Sequence, residues 1–214
     1  MEKKGIIFDM DGTLWDSASG VAQAWTRVAN LEYDKKRVIT TEDIQRVMGK
    51  TMDKIAEILF PDLEEKARLE LIDHCGVDEN NYLREHGGIL YPDLEETLKK
   101  LQEKYHLYIV SNCQSGYIEA FLDHYDFWHY FEDIECYGNN LCSKGENIRL
   151  IADRNHLTKA IYVGDIQGDY EATMEAGLTF VHAAYGFGTI AEETAKINCF
   201  AQLPEVAAEI LGDL

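Results

Sequence analysis

The sequence predicts an α/β fold: a doubly wound, Rossmann-like parallel sheet that carries a helical domain inserted after its first strand. Short apolar runs typical of buried parallel strands recur at wide spacing, and helical patterns separate them. A long block of helical pattern also follows the first run. With 214 residues, of which 46% are hydrophobic, the chain is long enough for one core and a smaller insert.

Apolar runs place the predicted strands. Four of them cover residues 5–8, 107–110, 160–163 and 179–181, and a weaker candidate covers residues 134–137. Short runs of this kind are typical of strands that are buried on both faces of a parallel sheet. We therefore expect them to lie side by side in one sheet.

Helical signals lie between the strands. The segment 92–104 begins with Pro92, which suits a first helical position, and it repeats leucine on one face. Its acidic residues lie at the start and its lysines toward the end, as the helix dipole favours. A second helix is predicted over residues 169–175 and stops at Gly177, a usual left-handed cap position.

The block of residues 15–84 has helical stripes, for example Val21 and Trp25, and little strand signal. A crossover between two parallel strands needs only about a dozen residues, so the excess indicates an inserted domain. We expect a catalytic core made of residues 1–14 and 85–214, and a helical insert made of residues 15–84.

The formal net charge of −19 excludes two classes of partner. A strongly acidic surface repels nucleic-acid phosphates and anionic lipid head groups, so we expect neither nucleic acid nor membrane as a partner. The five cysteines form no CxxC pair, and the apolar run at the N-terminus is too short for a signal peptide. These features favour a reduced, cytoplasmic protein.

The strongest chemical signal is the motif Asp9-x-Asp11-Gly12-Thr13, directly after the first apolar run. Doubly wound sheets bind ligands at the carboxyl ends of their strands. Two carboxylates one residue apart can divide the labour of phosphoryl transfer, because one can attack phosphorus while the other moves protons. Gly12 allows the tight turn that brings backbone N–H groups toward an anion.

Two further motifs offer groups that bind a phosphate. Ser111 and Asn112 follow a predicted strand and can donate hydrogen bonds to a phosphoryl oxygen. Lys144 opens a helix in which Ser143 and Glu146 form a capping box. A cation is locally unfavourable at the positive end of a helix dipole, and such broken local rules often mark functional sites.

A fourth motif offers ligands for a hard cation. Asp165 ends another predicted strand, and Asp169 lies in the next helical turn. Magnesium prefers oxygen ligands and keeps several waters, so few carboxylates suffice to hold it. An acidic protein that takes a phosphate substrate needs such local positive charge.

In order along the chain, these motifs resemble those of the haloacid dehalogenase superfamily of phosphatases, with a helical cap inserted after the first strand. The resemblance rests on Asp9-x-Asp11-Gly12-Thr13, Ser111, Lys144 and Gly164-Asp165-x-x-x-Asp169. It implies a magnesium-dependent hydrolase that cleaves small phosphate monoesters through a phospho-aspartyl intermediate, similar to phosphoglycolate phosphatases. The implied partner is a small phosphorylated metabolite, and the implied assembly is a monomer or small homo-oligomer.

The resemblance also implies roles for single residues. Asp9 is the nucleophile, and Asp11 first protonates the leaving oxygen and then activates water. Ser111 and Lys144 bind the transferring phosphoryl group, and Asn112 assists them.

The remaining implied roles concern the metal and the anion. Magnesium is held by Asp9, Asp165 and the backbone carbonyl of Asp11, while Asp169 assists either through water or by supporting the ligands that contact the ion. Gly12 and Thr13 belong to the residues around the phosphate.

Two alternatives compete with the hydrolase. A sugar-phosphate mutase of the same family carries a His and an Arg in the cap, and this chain has Val21 and Met52 at those positions. A non-enzymatic receiver or regulatory module also phosphorylates an Asp, but such modules are about half this length. Lys50 and Thr51, beside Gly49 in the cap, are the candidate residues for substrate specificity.

Overall fold

A computed structural model describes residues 2–34 and 36–212. The strands are β1 (Lys4–Phe8), β2 (Trp15–Asp16), β3 (Ile89–Leu90), β4 (His106–Ser111), β5 (Asp133–Cys136), β6 (Lys159–Gly164), β7 (Thr179–Ala183) and β8 (Ala195–Ile197). The helices are α1 (Ala18–Glu32), α2 (Thr41–Val47), α3 (Met52–Leu59), α4 (Glu65–His86), α5 (Leu94–Gln102), α6 (Tyr117–Tyr125), α7 (Tyr137–Asn140), α8 (Lys144–Arg154), α9 (Gln167–Ala176) and α10 (Leu203–Leu211). Short 3₁₀ turns cover Trp128–Tyr130 and Phe200–Gln202.

Six of these strands form one sheet in the order β5-β4-β1-β6-β7-β8. Every neighbouring pair in it is parallel, and Gly5 of β1 lies between His106 of β4 and Ala160 of β6. Strand β1 is therefore central, and its carboxyl end lies at the same edge as those of β4 and β6. The predicted α/β fold with a parallel sheet is confirmed.

Alternate residues of the central strands face two separate apolar cores. Ile6 and Phe8 belong to the larger core, and Ile7 belongs to the smaller one. Helices α5 and α10 pack against the first face, whereas α8 and α9 pack against the second. Because both faces are covered, the strands read as continuous apolar runs in the sequence.

Helices α1 to α4, here called the cap helices, lie between β1 and the next strand of the main sheet. The chain leaves the sheet through β2 and returns through β3, and these two short strands pair with each other as an antiparallel ladder. Trp15 is opposite Leu90, and Asp16 is opposite Ile89. The ladder holds the entry and exit of the helical segment side by side.

Several element boundaries differ from the predictions, and the helix predicted over residues 169–175 covers Gln167–Ala176. The helix predicted from Pro92 begins only at Leu94, because Asp93 has a left-handed backbone with φ of 62°. The weak strand candidate is shifted by one residue, to Asp133–Cys136, and β8 was not predicted. Within the described ranges, no helix combines the length and apolar character needed to cross a bilayer.

The packing of α5 on the sheet can be tested with a leucine pair. Leu98 of α5 is fully buried, whereas Leu31 of α1 is 77% exposed. Leu98→Ala should lower the free energy of unfolding by about 2–5 kcal/mol, because it leaves a cavity in the larger core. Leu31→Ala should change it by less than about 0.5 kcal/mol. Urea unfolding measures both, and equal effects would contradict the described packing.

Candidate active site

The sequence-predicted polar residues meet at the carboxyl edge of the sheet. Asp9 directly follows β1, and its backbone N–H donates to the carbonyl of Val163 on β6 at 2.9 Å. Ser111 is the last residue of β4, and Asp165 directly follows β6. Parallel strands bring these chain-distant ends together because all their carboxyl ends point the same way.

Lys144 lies at the centre of this group. Its Nζ is 2.8 Å from Asp9 Oδ1 and 2.5 Å from Asp169 Oδ1, and the side chains of all three residues are buried. Burial alone would lower the pKa of Lys144, but the Asp169 and Asp9 carboxylates outweigh it and hold that pKa well above its usual range. The ammonium therefore stays charged.

The helix start that positions Lys144 has the predicted capping box. Ser143 accepts a hydrogen bond from the Glu146 N–H at 3.2 Å, and the Glu146 carboxylate accepts one from the Ser143 N–H at 2.8 Å. The reciprocal bonds fix the first turn of α8, and with it the direction in which Lys144 leaves the helix.

Three buried carboxylates converge beside this ammonium. One oxygen from each of Asp9, Asp165 and Asp169 lies within 4.8 Å of the others. Asp169 Oδ2 accepts the backbone N–H groups of Asp165 and Ile166, at 3.0 and 3.1 Å. Asp165 Oδ2 accepts the N–H of Phe187 at 2.7 Å, so the loop after β7 also closes on the cluster.

The cluster carries more negative charge than Lys144 can balance. Burial first, and then the neighbouring carboxylates, raise the pKa values of Asp9 and Asp165 above their usual range. If all three carboxyl groups were ionised, one ammonium would leave two charges uncompensated in a buried space. A hard cation with oxygen ligands fits this donor set and would hold the carboxylates in their ionised form.

Glycines let the loops approach this cluster closely. Gly12 has a φ of 82°, and a Cβ there would lie 2.1 Å from Asp165 Oδ2. A Cβ on Gly186 would lie 2.3 Å from the carbonyl oxygen of Gly12. Both loops therefore need residues without a side chain where they enclose the Asp165 carboxylate.

Asp11 has a separate set of partners that the sequence did not reveal. Ser17 Oγ donates to Asp11 Oδ1 at 2.6 Å, and the Tyr117 hydroxyl lies 2.8 Å from both Asp11 Oδ1 and Ser17 Oγ. Burial raises the pKa of Asp11 to about 6, although both hydrogen bonds act against this rise. No local pattern marks Tyr117, because 106 positions separate it from Asp11.

A cavity of about 40 Å³ lies between the cap helices and the sheet edge. Asp11, Ser111 and Asn112 line it from the core, and Lys50 lines it from the cap. Thr51 is not among its lining residues and instead precedes the first residue of α3.

The remaining candidate, Thr13, is buried beside the first motif. Its hydroxyl has no hydrogen-bond partner among the described residues. Its carbonyl oxygen accepts a hydrogen bond of 2.7 Å from the Tyr185 hydroxyl. The turn after β1 is thus held by the loop after β7.

One contact between the cap and the core is a short loop at Gly49, in addition to the packing of α4 against α6. Asn112 Nδ2 donates to the carbonyl oxygen of Gly49 at 2.9 Å. Gly49 has a φ of 78°, and a Cβ there would lie 2.3 Å from Ile166 Cδ1. Asn112 and Ile166 therefore hold the cap loop in place beside the carboxylate cluster.

Comparisons with known proteins identify the family that the sequence motifs resemble. The profile of the haloacid dehalogenase-like hydrolase family matches residues 6–183. A phosphoglycolate phosphatase from Aliivibrio fischeri is 29% identical over 203 residues, with 86% of this chain and 85% of that protein covered.

Solved structures agree in fold. A predicted phosphoglycolate phosphatase from Haemophilus somnus 129pt superimposes with a TM-score of 0.82 at 22% identity, covering 96% of this chain and 98% of that one. A haloacid dehalogenase-like hydrolase from Bacteroides fragilis gives 0.80 at 24% identity, covering 95% and 100%. At these identities the two structures establish the fold alone.

The chain belongs to the haloacid dehalogenase-like hydrolase family. The predicted family is confirmed, and so is the predicted class of enzyme, a phosphatase.

The close approach at Gly12 can be tested against a second glycine of similar backbone. Gly177 has a φ of 77°, and a Cβ there would meet no atom within 4 Å, so Gly177→Ala should cost only the left-handed strain, about 1–2 kcal/mol. Gly12→Ala should cost clearly more, because its methyl group also collides with Asp165. Urea unfolding without added metal measures both, and equal losses would contradict the described contact.

Proposed function

We propose that this chain is a magnesium-dependent phosphatase that cleaves small phosphate monoesters through a phospho-aspartyl intermediate on Asp9. The observation that carries the proposal is the convergence of Lys144 with three buried carboxylates at the sheet edge. Phosphoryl transfer depends on positioning and charge stabilisation, and a buried site of mixed charge provides both.

The first step forms the intermediate. A carboxylate oxygen of Asp9 attacks phosphorus, and the bond between phosphorus and the ester oxygen breaks. Asp11 gives its proton to that oxygen, so the alcohol leaves neutral and Asp11 becomes a carboxylate. Ser17 and Tyr117 support this role, since their hydrogen bonds fix the orientation of the Asp11 side chain.

The second step releases phosphate. The Asp11 carboxylate takes a proton from water, and the water oxygen attacks the phosphorus of the intermediate. The bond between phosphorus and the Asp9 oxygen breaks, which regenerates the carboxylate and frees inorganic phosphate. Asp11 is protonated again and ready for the next ester.

The carboxylate oxygens that accept no hydrogen bond are the candidate metal ligands. Asp9 Oδ1 and Asp165 Oδ2 already accept hydrogen bonds, which leaves the second oxygen of each for a cation, beside the Asp11 carbonyl. Both oxygens of Asp169 accept hydrogen bonds, so Asp169 acts through water. A bound magnesium ion supplies charge neutralisation for the carboxylates and the phosphoryl oxygens.

The phosphoryl group is held by several donors. Lys144 and Ser111 contribute an ammonium and a hydroxyl, and the turn at Gly12 and Thr13 contributes backbone N–H groups. Asn112 adds to this group while its amide holds the cap loop at Gly49. A single side chain thus links phosphate binding to the position of the cap.

The cavity supports a hydrolase over the mutase alternative. Val21 and Met52, which stand where mutases of the family carry His and Arg, both line it. Lys50 is the only Lys, Arg or His among the lining residues, and it is exposed. A second phosphate group would find no buried cation here. The same cavity, directly at Asp11, supports an enzyme over a receiver module.

The cellular setting follows from the sequence. We place the protein in the cytoplasm, because five cysteines without a CxxC pair suit a reducing compartment. A small phosphorylated metabolite is the substrate, and the names of the relatives make phosphoglycolate the first ester to measure. A monomer or a small homo-oligomer suffices, since one chain supplies every group named above.

Asp9→Asn should abolish the hydrolysis of p-nitrophenyl phosphate and acetyl phosphate, with a fall in kcat of at least about 10³-fold, because an amide is not a competent nucleophile. Asp153→Asn is the matched control, since it removes the same charge from an exposed position of α8. Phosphate release and circular dichroism measure the outcome. Magnesium-dependent turnover by a folded Asp9→Asn variant would refute the mechanism, and a stable phosphoprotein without turnover in the wild type would favour a receiver.

Magnesium should also stabilise the fold. We expect its addition to a chelator-treated sample to raise the melting temperature and restore activity, because the ion relieves repulsion among buried carboxylates. Asp165→Asn removes one ligand and should remove most of this thermal shift. Differential scanning calorimetry at several magnesium concentrations gives the shift, and an equal shift in the Asp153→Asn and Asp165→Asn variants would exclude Asp165 as a ligand.

A further inference from the structure

The far wall of the cavity carries a carboxyl group that the proposed mechanism does not use. Glu79 of α4 is 4% exposed and lines the same cavity as Asp11. Trp25 of α1 donates its indole N–H to Glu79 Oε2 at 2.7 Å, and the side chain of Gln114 lines the same cavity. Trp25 and Gln114 are neutral, and no ion pair joins Glu79 to a cation among the described residues.

The hydrogen bond from Trp25 needs an acceptor at this place, but it does not need an ionisable one. The surrounding cap side chains are apolar, among them Val21, Val47 and Ile55. Burial is the main cause that raises the pKa of Glu79 to about 8, which shows how unfavourable a lone charge is there. A neutral amide such as Gln would accept the indole N–H of Trp25 without that cost, so a ligand is the simpler reason for the carboxyl group.

The geometry places the far end of the leaving alcohol beside Glu79. The leaving oxygen must lie at Asp11, which protonates it in the proposed mechanism, and the cavity extends from Asp11 to Glu79. A cavity of about 40 Å³ has room for only a small group beyond the leaving oxygen. The alcohol that fits is therefore short.

We propose that the cavity selects phosphate esters of short alcohols that carry a hydrogen-bond donor, a hydroxyl or an ammonium group, and that Glu79 accepts this donor. The inference rests on the proposed phosphatase function and narrows its substrate class. A carboxylate in the alcohol, as in phosphoglycolate, would have to share the buried space with Asp11 and Glu79. The only cationic lining residue among those described, Lys50, is exposed.

The test compares four two-carbon esters with wild-type enzyme and magnesium: 2-aminoethyl phosphate, 2-hydroxyethyl phosphate, ethyl phosphate and phosphoglycolate. At least one donor-bearing ester should exceed both ethyl phosphate and phosphoglycolate in kcat/KM by roughly 10- to 100-fold, the range of one hydrogen bond to a charged group. Acetyl phosphate serves as the reference for phosphatase activity itself, since it offers no such donor.

Two variants then distinguish the two kinds of donor. Glu79→Gln retains a carbonyl acceptor but loses the charge. The ratio of kcat/KM for the ammonium ester to kcat/KM for ethyl phosphate should therefore fall toward one. A preference for the hydroxyl ester should persist. Glu79→Leu should remove either preference. With both variants, kcat/KM for phosphoglycolate should rise relative to kcat/KM for the preferred ester. A purely structural Glu79 would instead lower kcat/KM for all four esters by the same factor, and that result would overturn the inference.

Failures of the two proposals have different signatures. If magnesium-dependent hydrolysis of acetyl phosphate is absent, the phosphatase function itself fails. If acetyl phosphate is hydrolysed but phosphoglycolate or ethyl phosphate matches the donor-bearing esters, only the substrate class is wrong. Hydrolysis of acetyl phosphate with turnover of none of the four esters also overturns the substrate class. The wild-type comparison stands even if a Glu79 variant does not fold.

Discussion

The placement of the Lys144 ammonium among three buried carboxylates is the constraint on which this structure depends. Such a group is stable only where several backbone segments meet and water is excluded, because isolated buried charges are costly. The carboxyl edge of a parallel sheet meets that requirement. It brings Asp9, Asp165 and the start of α8 together although they are far apart in the sequence. The capping box of α8 and the glycine-mediated loop contacts serve the same constraint.

The groups on the two sides of the cavity have different environments. On the phosphate side, charges are dense and four of the six carboxylate oxygens of the cluster have a donor, such as Lys144 or the Phe187 N–H. On the leaving-group side, most cap residues that line the cavity with Glu79 are apolar, and its hydrogen-bond donor within the described ranges, Trp25, is neutral. The first environment suits a reaction that changes charge at phosphorus. The second suits discrimination between alcohols, because an unsatisfied polar group is costly in apolar surroundings.

Much of the fold and of the phosphate side could be predicted from the sequence, because both depend on short segments. An apolar run marks each main strand except β8, and the polar residue that follows it marks the sheet edge, as at Asp9 and Ser111. The capping box around Lys144 is local too, and it is present as predicted. Local prediction failed at Pro92, where one left-handed residue, Asp93, overrides a favourable helix start.

The other parts of the site depend on contacts between distant segments, and the sequence has no pattern for them. Ser17 and Tyr117 meet at Asp11 although 100 residues separate them. Glu79 lies in a helix rich in acidic residues, next to Asp78, and its letter pattern is that of a solvated face. Only the packing of α4 against α1, with Trp25 opposite, shows that this carboxyl group is buried.

The paired strands β2 and β3 have a consequence for how such an enzyme can diversify. Because the chain leaves and re-enters the core at one spot, the intervening helices add nothing to the strand order of the main sheet. Mutations in the cap helices can reshape the cavity that holds the alcohol while most residues that break the ester bond keep their geometry. Selectivity and chemistry are thus encoded largely in different stretches of one gene, and Ser17 and Asn112 are the residues at which the two meet.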